Sequence, residues 1–158
     1  MKKFVIILLM ASALFLSACS EDSETNYFLS KDEALENLIQ SEGIEGNIDL
    51  ITTMNEEELL VIEHDKNTYS AGELLKDKKG YVAQRISATV VMELGGSWEL
   101  ETKSKHKYTI YFEKEQENQY YYQLSNEDYY VSLAEGHQIS DPAPSFTDSI
   151  KEIRAVTK

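Results

Sequence analysis

Cysteine and proline are almost absent from this chain. Cys19 is the only cysteine among 158 residues, so no disulfide can form within the chain. A domain without disulfides has to be held by its hydrophobic core. Pro142 and Pro144 are the only prolines, which excludes a collagen-like or proline-rich class.

Residue patterns that carry known chemistries are also lacking. The three histidines, His64, His106 and His137, are far apart, and none has a second ligand at a metal-binding spacing. The segment Gly95-Gly96-Ser97 does not match the Gly-x-Ser-x-Gly signature of a serine nucleophile and is typical of a hairpin turn. Acidic residues are too numerous for any one pair to indicate a glycosidase. We therefore predict no metal or cofactor site and favour a non-catalytic protein.

Positive charge is scarce. The chain has 15 lysines and arginines against 28 aspartates and glutamates, a formal net charge of −13. A balance of this sign argues against binding nucleic acid, and against contact between the domain and an anionic membrane surface.

The first 20 residues have the layout of a secretory signal peptide. Lys2 and Lys3 precede an apolar run over 4–16, and small residues follow. A run of this length is short for a transmembrane helix, which needs about 20 residues.

The end of this segment, Leu16-Ser17-Ala18-Cys19, resembles the lipobox of bacterial lipoproteins. The resemblance implies that residues 1–18 are removed and that Cys19 carries a thioether-linked diacylglycerol with acyl chains such as palmitate. Two acyl chains anchor a protein stably to a membrane without spanning it. The layout of the whole chain is similar to that of small lipoproteins of Gram-positive bacteria. A conventional cleavage site near Cys19 and an uncleaved membrane anchor are the alternatives.

A helix is predicted directly after a polar tether at 20–26. Ser30 and Glu33 form a capping-box pattern, with Leu29 and Ala34 as a candidate hydrophobic staple. Apolar residues then recur at helical spacing until Gly43, which predicts a helix over 31–42.

The rest of the chain alternates with the period of β-strands. The pattern predicts strands over 47–54, 58–64, 68–75, 81–94, 97–102, 106–113, 119–124 and 129–134. The last segment, 149–156, fits a short helix or a strand, and its Ile and Val content favours a strand. Short turns between these segments favour antiparallel pairing.

Tyrosine is concentrated in the second half of the domain, with seven of ten tyrosines between 108 and 130. We predict a candidate binding face of Trp98, Tyr120, Tyr122 and Tyr129, because exposed aromatic rings suit sugar stacking or protein contact. The alternative is that these tyrosines only fill half-buried strands.

Together these patterns predict a single α+β domain, in which one amino-terminal helix packs on a mainly antiparallel sheet of about seven or eight strands. A half-closed barrel is the alternative. We divide the chain into three predicted segments. Residues 1–18 are a signal peptide that is removed, residues 19–27 are the lipidated cysteine and tether, and residues 28–158 form the domain.

The expected function is a lipid-anchored binding or accessory module on the outer side of the cytoplasmic membrane, without nucleic acid as a partner. The expected partners are the membrane, through the anchor, and an envelope protein or glycan. A cell-envelope hydrolase with an unrecognised site and an inhibitor or immunity-type lipoprotein are the alternatives.

Substituting Cys19→Ala removes the sulfur that would accept the lipid, so the variant should incorporate no fatty acid and keep its signal segment. Metabolic labelling with a radioactive fatty acid measures this directly. A Cys19→Ala protein that still takes up label would refute the lipoprotein interpretation.

Overall fold

The computed structural model describes residues 25–139 and 147–156. The predicted signal segment at 1–18 and Cys19 lie outside the described residues. The described chain begins with an extended segment and a single helix, α1 (Lys31–Glu42), as the capping pattern predicts.

Both ends of α1 are capped as the sequence indicates. The Ser30 hydroxyl accepts a hydrogen bond from the Glu33 backbone N–H, and the Glu33 carboxylate accepts one from the Ser30 N–H. Gly43 ends the helix in the left-handed region, at φ 62°, a conformation that glycine adopts at little cost. The predicted staple is absent, because the Leu29 side chain is exposed.

Ten strands follow, and every pair of neighbouring strands is antiparallel. In chain order they are β1 (Ile48–Thr53), β2 (Glu58–Asp65), β3 (Thr68–Asp77), β4 (Gly80–Arg85), β5 (Val90–Val91), β6 (Gly96–Glu101), β7 (Lys107–Glu113), β8 (Tyr122–Gln123), β9 (Tyr130–Glu135) and β10 (Ile150–Ala155).

The strands form two sheets, so the prediction of one sheet is wrong. The first sheet has the order β10-β1-β2-β3-β4, with β5 also paired to β3, and the second has the order β6-β7-β9-β8. Neither sheet closes into a barrel over the described residues. The coarser prediction, one helix with a mainly antiparallel β structure, is confirmed.

The predicted long strand at 81–94 is interrupted. Beyond β4, the backbone N–H groups of Ile86 and Ser87 both donate to the Ala71 carbonyl, and the Ser87 hydroxyl accepts from the Ala71 N–H at 2.8 Å. The Ser87 hydroxyl thus takes the place of a backbone carbonyl as the hydrogen-bond acceptor for this N–H of β3. The chain leaves the ladder there and returns as β5, which alternation alone does not reveal.

Two apolar cores make the domain three layers thick. The first sheet is buried on both faces, which is consistent with the continuous apolar run at 59–62 in β2. One face packs on α1, with a core of Ala34, Leu35, Leu38, Ile44, Ile48, Leu50, Leu60, Ile62 and Leu74. The other face packs on the second sheet, where large side chains such as Tyr69, Tyr108, Phe112 and Tyr129 fill the space between the sheets.

The last strand ties the two sheets together. The Ser149 N–H donates to the Leu133 carbonyl of β9, while the Ser149 carbonyl accepts from the Met54 N–H at the end of β1, both at 2.9 Å. The chain then enters the first sheet as β10, beside β1. The carboxy-terminal segment is therefore a strand, and it closes one side of the sandwich.

Candidate functional site

The predicted tyrosine face does not form one exposed surface. Tyr129 is fully buried between the sheets, so its assignment to a binding face is wrong. Trp98 is half-buried and stacks on Phe112 at a centroid distance of 4.9 Å. Tyr122 packs against the same core, and its hydroxyl donates to Asp148 at 2.8 Å. Among these four residues Tyr120 has the most exposed side chain, at 37%.

The neighbouring tyrosines do not alternate as a strand would require. Only Tyr122 of the run Tyr120-Tyr121-Tyr122 lies in a strand, because β8 has two residues. Tyr121 is 4% exposed, and burial raises its pKa to about 12, with a further contribution from the charges of Glu113 and Glu117. Tyr121 and Tyr122 therefore contribute mainly to packing.

The buried tyrosines instead place their hydroxyls at the two ends of the sandwich. Tyr69 and Tyr129 reach Asn126 and Asn67 at one end, while Tyr108 reaches Glu57 at the other. Each ring lies in the core and each hydroxyl meets a loop. This arrangement fixes the loops at both ends relative to the sheets.

One end, which we call the acidic end, consists of segments 42–45, 63–67, 113–117 and 125–128. Together these segments hold nine carboxylates and two lysines. The opposite end, which we call the lysine end, presents the turns 76–79 and 103–107, with six lysines, one histidine and a single aspartate. The turn between β1 and β2 lies at the same end and adds the carboxylates of Glu56, Glu57 and Glu58. The lysine end is therefore mixed in charge, whereas carboxylates strongly outnumber lysines at the acidic end.

Buried polar contacts join the two sheets at the acidic end. The Asp49 carboxylate, 4% exposed, accepts hydrogen bonds from the Ser125 N–H and hydroxyl at 3.0–3.2 Å. Burial raises the pKa of Asp49, and the Ser125 hydrogen bonds oppose that rise. The Asn126 amide donates to the Tyr69 hydroxyl at 2.6 Å and to Glu63 at 3.0 Å. The turn at 125–128 is consequently held rigidly against the first sheet.

Beside this turn lies an open cleft of about 310 Å³. Its lining consists of Glu45, Gly46, Glu63, His64, Asp65, Lys66 and Asp128. Asp65 and Asp128 are exposed at the rim, and Glu63 is half-buried. Four carboxylates against one lysine give the cleft a negative potential, which suits a cationic group.

A second network lies at the lysine end. The Glu57 carboxylate accepts hydrogen bonds from the Tyr108 hydroxyl at 2.7 Å and the Thr102 hydroxyl at 2.9 Å, and lies 3.0 Å from His106 Nδ1. Burial alone would raise the pKa of Glu57, but the hydrogen bonds from Tyr108, His106 and Thr102 outweigh it and hold that pKa below its usual range.

A nearby carboxylate fastens the same turn. Glu73, 2% exposed, accepts from the Gln84 amide at 2.6 Å and from the Lys103 backbone N–H at 3.0 Å. The adjoining cleft measures about 230 Å³ and is lined by Glu56, Glu57, Glu58, Leu59, Glu73, Leu74, Leu75, Lys76 and Ser104. Glu57 and Glu73 are both engaged in holding the turn between β6 and β7, which leaves this cleft with a structural role.

Each of the three histidines has its own contacts. His64 contacts the Ser70 hydroxyl at 2.7 Å, His106 lies beside Glu57, and His137 lies 3.5 Å from Glu99. Among residues 25–139 and 147–156, no group of three or more His, Cys, Asp and Glu side chains is arranged to hold a metal ion. Within the same residues, no helix has the length and apolar content needed to cross a membrane.

No family model, curated protein or solved structure matches this chain.

Sequence reasoning missed the acidic cleft because its carboxylates come from three distant segments. The sequence does show acidic residues within or beside predicted turns, as in Ser125-Asn126-Glu127-Asp128 and Glu63-His64-Asp65. Asn and Ser in such turns often bond to neighbouring groups, but the sequence does not show that these two turns meet.

Replacing Tyr121 tests whether this tyrosine is part of the packing. Tyr121→Ala should lower the free energy of unfolding by about 3–5 kcal/mol, since it removes a buried ring. The matched variant Tyr120→Ala removes a more exposed ring and should stay within about 0.5 kcal/mol of the parent. Urea titration of both proteins measures the difference, and equal effects would contradict the assigned burial.

Replacing Glu57 tests the network at the lysine end. Because folding lowers the Glu57 pKa, its ionised form stabilises the fold above the ordinary carboxyl pKa of about 4.3, and this stabilisation is lost as the pH falls through the folded pKa. Glu57→Gln should therefore destabilise the domain near neutral pH by on the order of 1–2 kcal/mol, and by less in acid.

The control is Glu56→Gln, the same chemical change at an exposed neighbour whose carboxylate contacts Lys151. This variant should differ little from the parent at either pH. Unfolding free energies at neutral and acidic pH check the prediction. A Glu57→Gln deficit that stays constant with pH would show that the carboxylate charge does not contribute.

Proposed function

We propose that this chain is a lipoprotein anchored through Cys19 on the outer side of the cytoplasmic membrane, and that its domain is a non-catalytic binding or accessory module. The lipobox-like segment Leu16-Ser17-Ala18-Cys19 supports the anchor. The observation that carries the binding role is the acidic cleft, where carboxylates from separate segments converge on a rigid turn.

The ligand that suits this cleft is a cationic segment of an envelope protein. Asp65 and Asp128 line the cleft and are exposed, and Glu63, which also lines it, is half-buried. Lysine or arginine side chains entering the cleft would meet carboxylates in several directions at once. An uncharged glycan would gain less, because the cleft offers few apolar or aromatic surfaces for stacking.

Preorganisation strengthens this proposal. The turn at 125–128 is held by Asp49 and Glu63 through the contacts of Ser125 and Asn126. A site whose loops are already fixed loses less conformational entropy when a ligand binds. The buried polar contacts at this end therefore have a use beyond stability.

The hydrolase alternative would require a free acid or base in a cleft. The best candidate is the Glu57–His106 pair near Tyr108, beside the 230 Å³ cleft. Glu57 already accepts hydrogen bonds from two hydroxyls and contacts the imidazole. Since these contacts hold the turn between β6 and β7, the arrangement favours a structural role over catalysis.

The inhibitor or immunity-type alternative uses the same acidic end. Such a protein would cover a basic surface on its target with the carboxylates of segments 63–67 and 125–128. It differs from an accessory module in the consequence of binding, which is loss of the partner's activity. Assaying the activity of a captured partner in the presence of the domain separates the two.

The double variant Asp65→Asn/Asp128→Asn should weaken binding of a short lysine peptide by roughly 2- to 30-fold, because each exposed ion pair contributes about 0.2–1 kcal/mol. Isothermal titration calorimetry at low salt is the measurement. The matched control, Glu135→Gln/Glu152→Gln, removes the same charge from exposed positions outside the acidic end and should bind like the parent. Equal weakening in both variants would mean that only net charge matters, and would remove the support for this cleft.

A further inference from the structure

We infer that the lysine end of the domain faces the membrane and contacts anionic lipid headgroups. The inference rests on the proposed anchor at Cys19, and it adds an orientation and a second membrane contact. The net charge of −13 argues against such contact, but the distribution of the charges argues for it.

The lysines of this end are concentrated and exposed. Lys76, Lys78 and Lys79 lie in the turn between β3 and β4, and Lys103, Lys105 and Lys107 lie in or beside the turn between β6 and β7. All six are exposed. The two turns are neighbours in space, because a cleft of about 160 Å³ is lined by residues of both, including Lys76 and Lys103.

The chain enters the domain at the same end. The Phe28 backbone pairs with Tyr81, at the start of β4, through two hydrogen bonds of 2.8 and 2.9 Å. One residue earlier, the Tyr27 ring lies 5.3 Å from the Lys79 ammonium group. The tether therefore begins directly beside the turn that carries three of the six lysines.

The tether is too short to let the domain move far from the bilayer. Residues 19–26 span at most about 26–29 Å when fully extended. Electrostatic interactions are screened over about 8 Å at physiological ionic strength, so an end of the domain is attracted or repelled only when it comes close to the surface. The end nearest the anchor does so most often. That end is the lysine end.

The opposite end reinforces this orientation. An anionic surface would repel the acidic end, where nine carboxylates accompany two lysines, more strongly than the lysine end, where six exposed lysines offset the nearby carboxylates. The tether also carries Glu21, Asp22 and Glu24, but their charge is common to both orientations and cancels in the comparison. In the resulting arrangement the acidic cleft opens away from the membrane, towards partners in the envelope.

The test uses the lipidated chain reconstituted into vesicles of phosphatidylglycerol and phosphatidylcholine in about equal amounts. A membrane-impermeant amine-reactive label is applied, and labelling is read residue by residue with mass spectrometry. Labelling of the six lysines should fall several-fold relative to the detergent-solubilised protein, while Lys66 at the acidic end should be unchanged. High salt, or vesicles of phosphatidylcholine alone, should restore the labelling.

Matched variants separate position from net charge. Lys78→Gln/Lys79→Gln/Lys107→Gln should remove the protection of the remaining lysines at that end. Lys66→Gln/Lys114→Gln/Arg154→Gln makes the same change in charge elsewhere and should leave the protection intact.

The inference is overturned if, with the anchor present, anionic vesicles change the labelling of the six lysines and of Lys66 by the same factor relative to the detergent-solubilised protein. The mass of the amino-terminal peptide reports the anchor itself, so its failure is seen separately. A peptide without lipid refutes the anchor and the orientation together, but leaves the binding test of the acidic cleft standing.

Discussion

The domain depends on one aromatic cluster between its two sheets. Tyr69 of the first sheet lies 5.2 Å from Phe112 and 5.4 Å from Tyr129 of the second, measured between ring centroids, with tilted and edge-on geometries that aromatic pairs prefer. The described residues contain no cysteine, so no disulfide joins the two sheets. These rings supply the apolar area that joins them, and the tyrosine hydroxyls carry polar contacts outward to the loops.

This use of tyrosine links stability to the candidate site. Each phenol ring is buried among apolar groups, and each hydroxyl needs a partner at the sandwich end. At the acidic end the Asn126 amide donates hydrogen bonds to the Tyr69 hydroxyl and to Glu63, which lines the acidic cleft. At the other end Tyr108 finds Glu57, which holds the turn beside the lysines. The core thus sets the positions of charged loops at both ends.

Local features were predictable from the sequence, and long-range ones were not. Ser30 and Glu33 cap the start of the helix and Gly43 caps its end, each through contacts within a few residues, so the helix could be predicted at its observed bounds. The division into two sheets depends on contacts such as Asp49 with Ser125, 76 residues away. Alternation shows that a residue faces a core but not which core. The pattern was therefore equally compatible with an exposed Tyr129 and with the buried Tyr129 that the structure shows.

The acidic cleft could not be predicted either, because it also depends on long-range contacts. The net charge of the chain was known from the sequence, but it did not indicate the local charge at each end. The net charge of −13 is an average over the whole chain, and it hides the difference in local charge between the two ends of the domain. Screening limits each charge to its own neighbourhood, so the local sign, not the total, decides what each end can contact. The topology creates this difference, because antiparallel strands return every second turn to the same end. The turns at 76–79 and 103–107 meet at one end, and those at 63–67 and 125–128 meet at the other. A membrane at one end and a cationic partner at the other are therefore compatible with a single, strongly acidic chain.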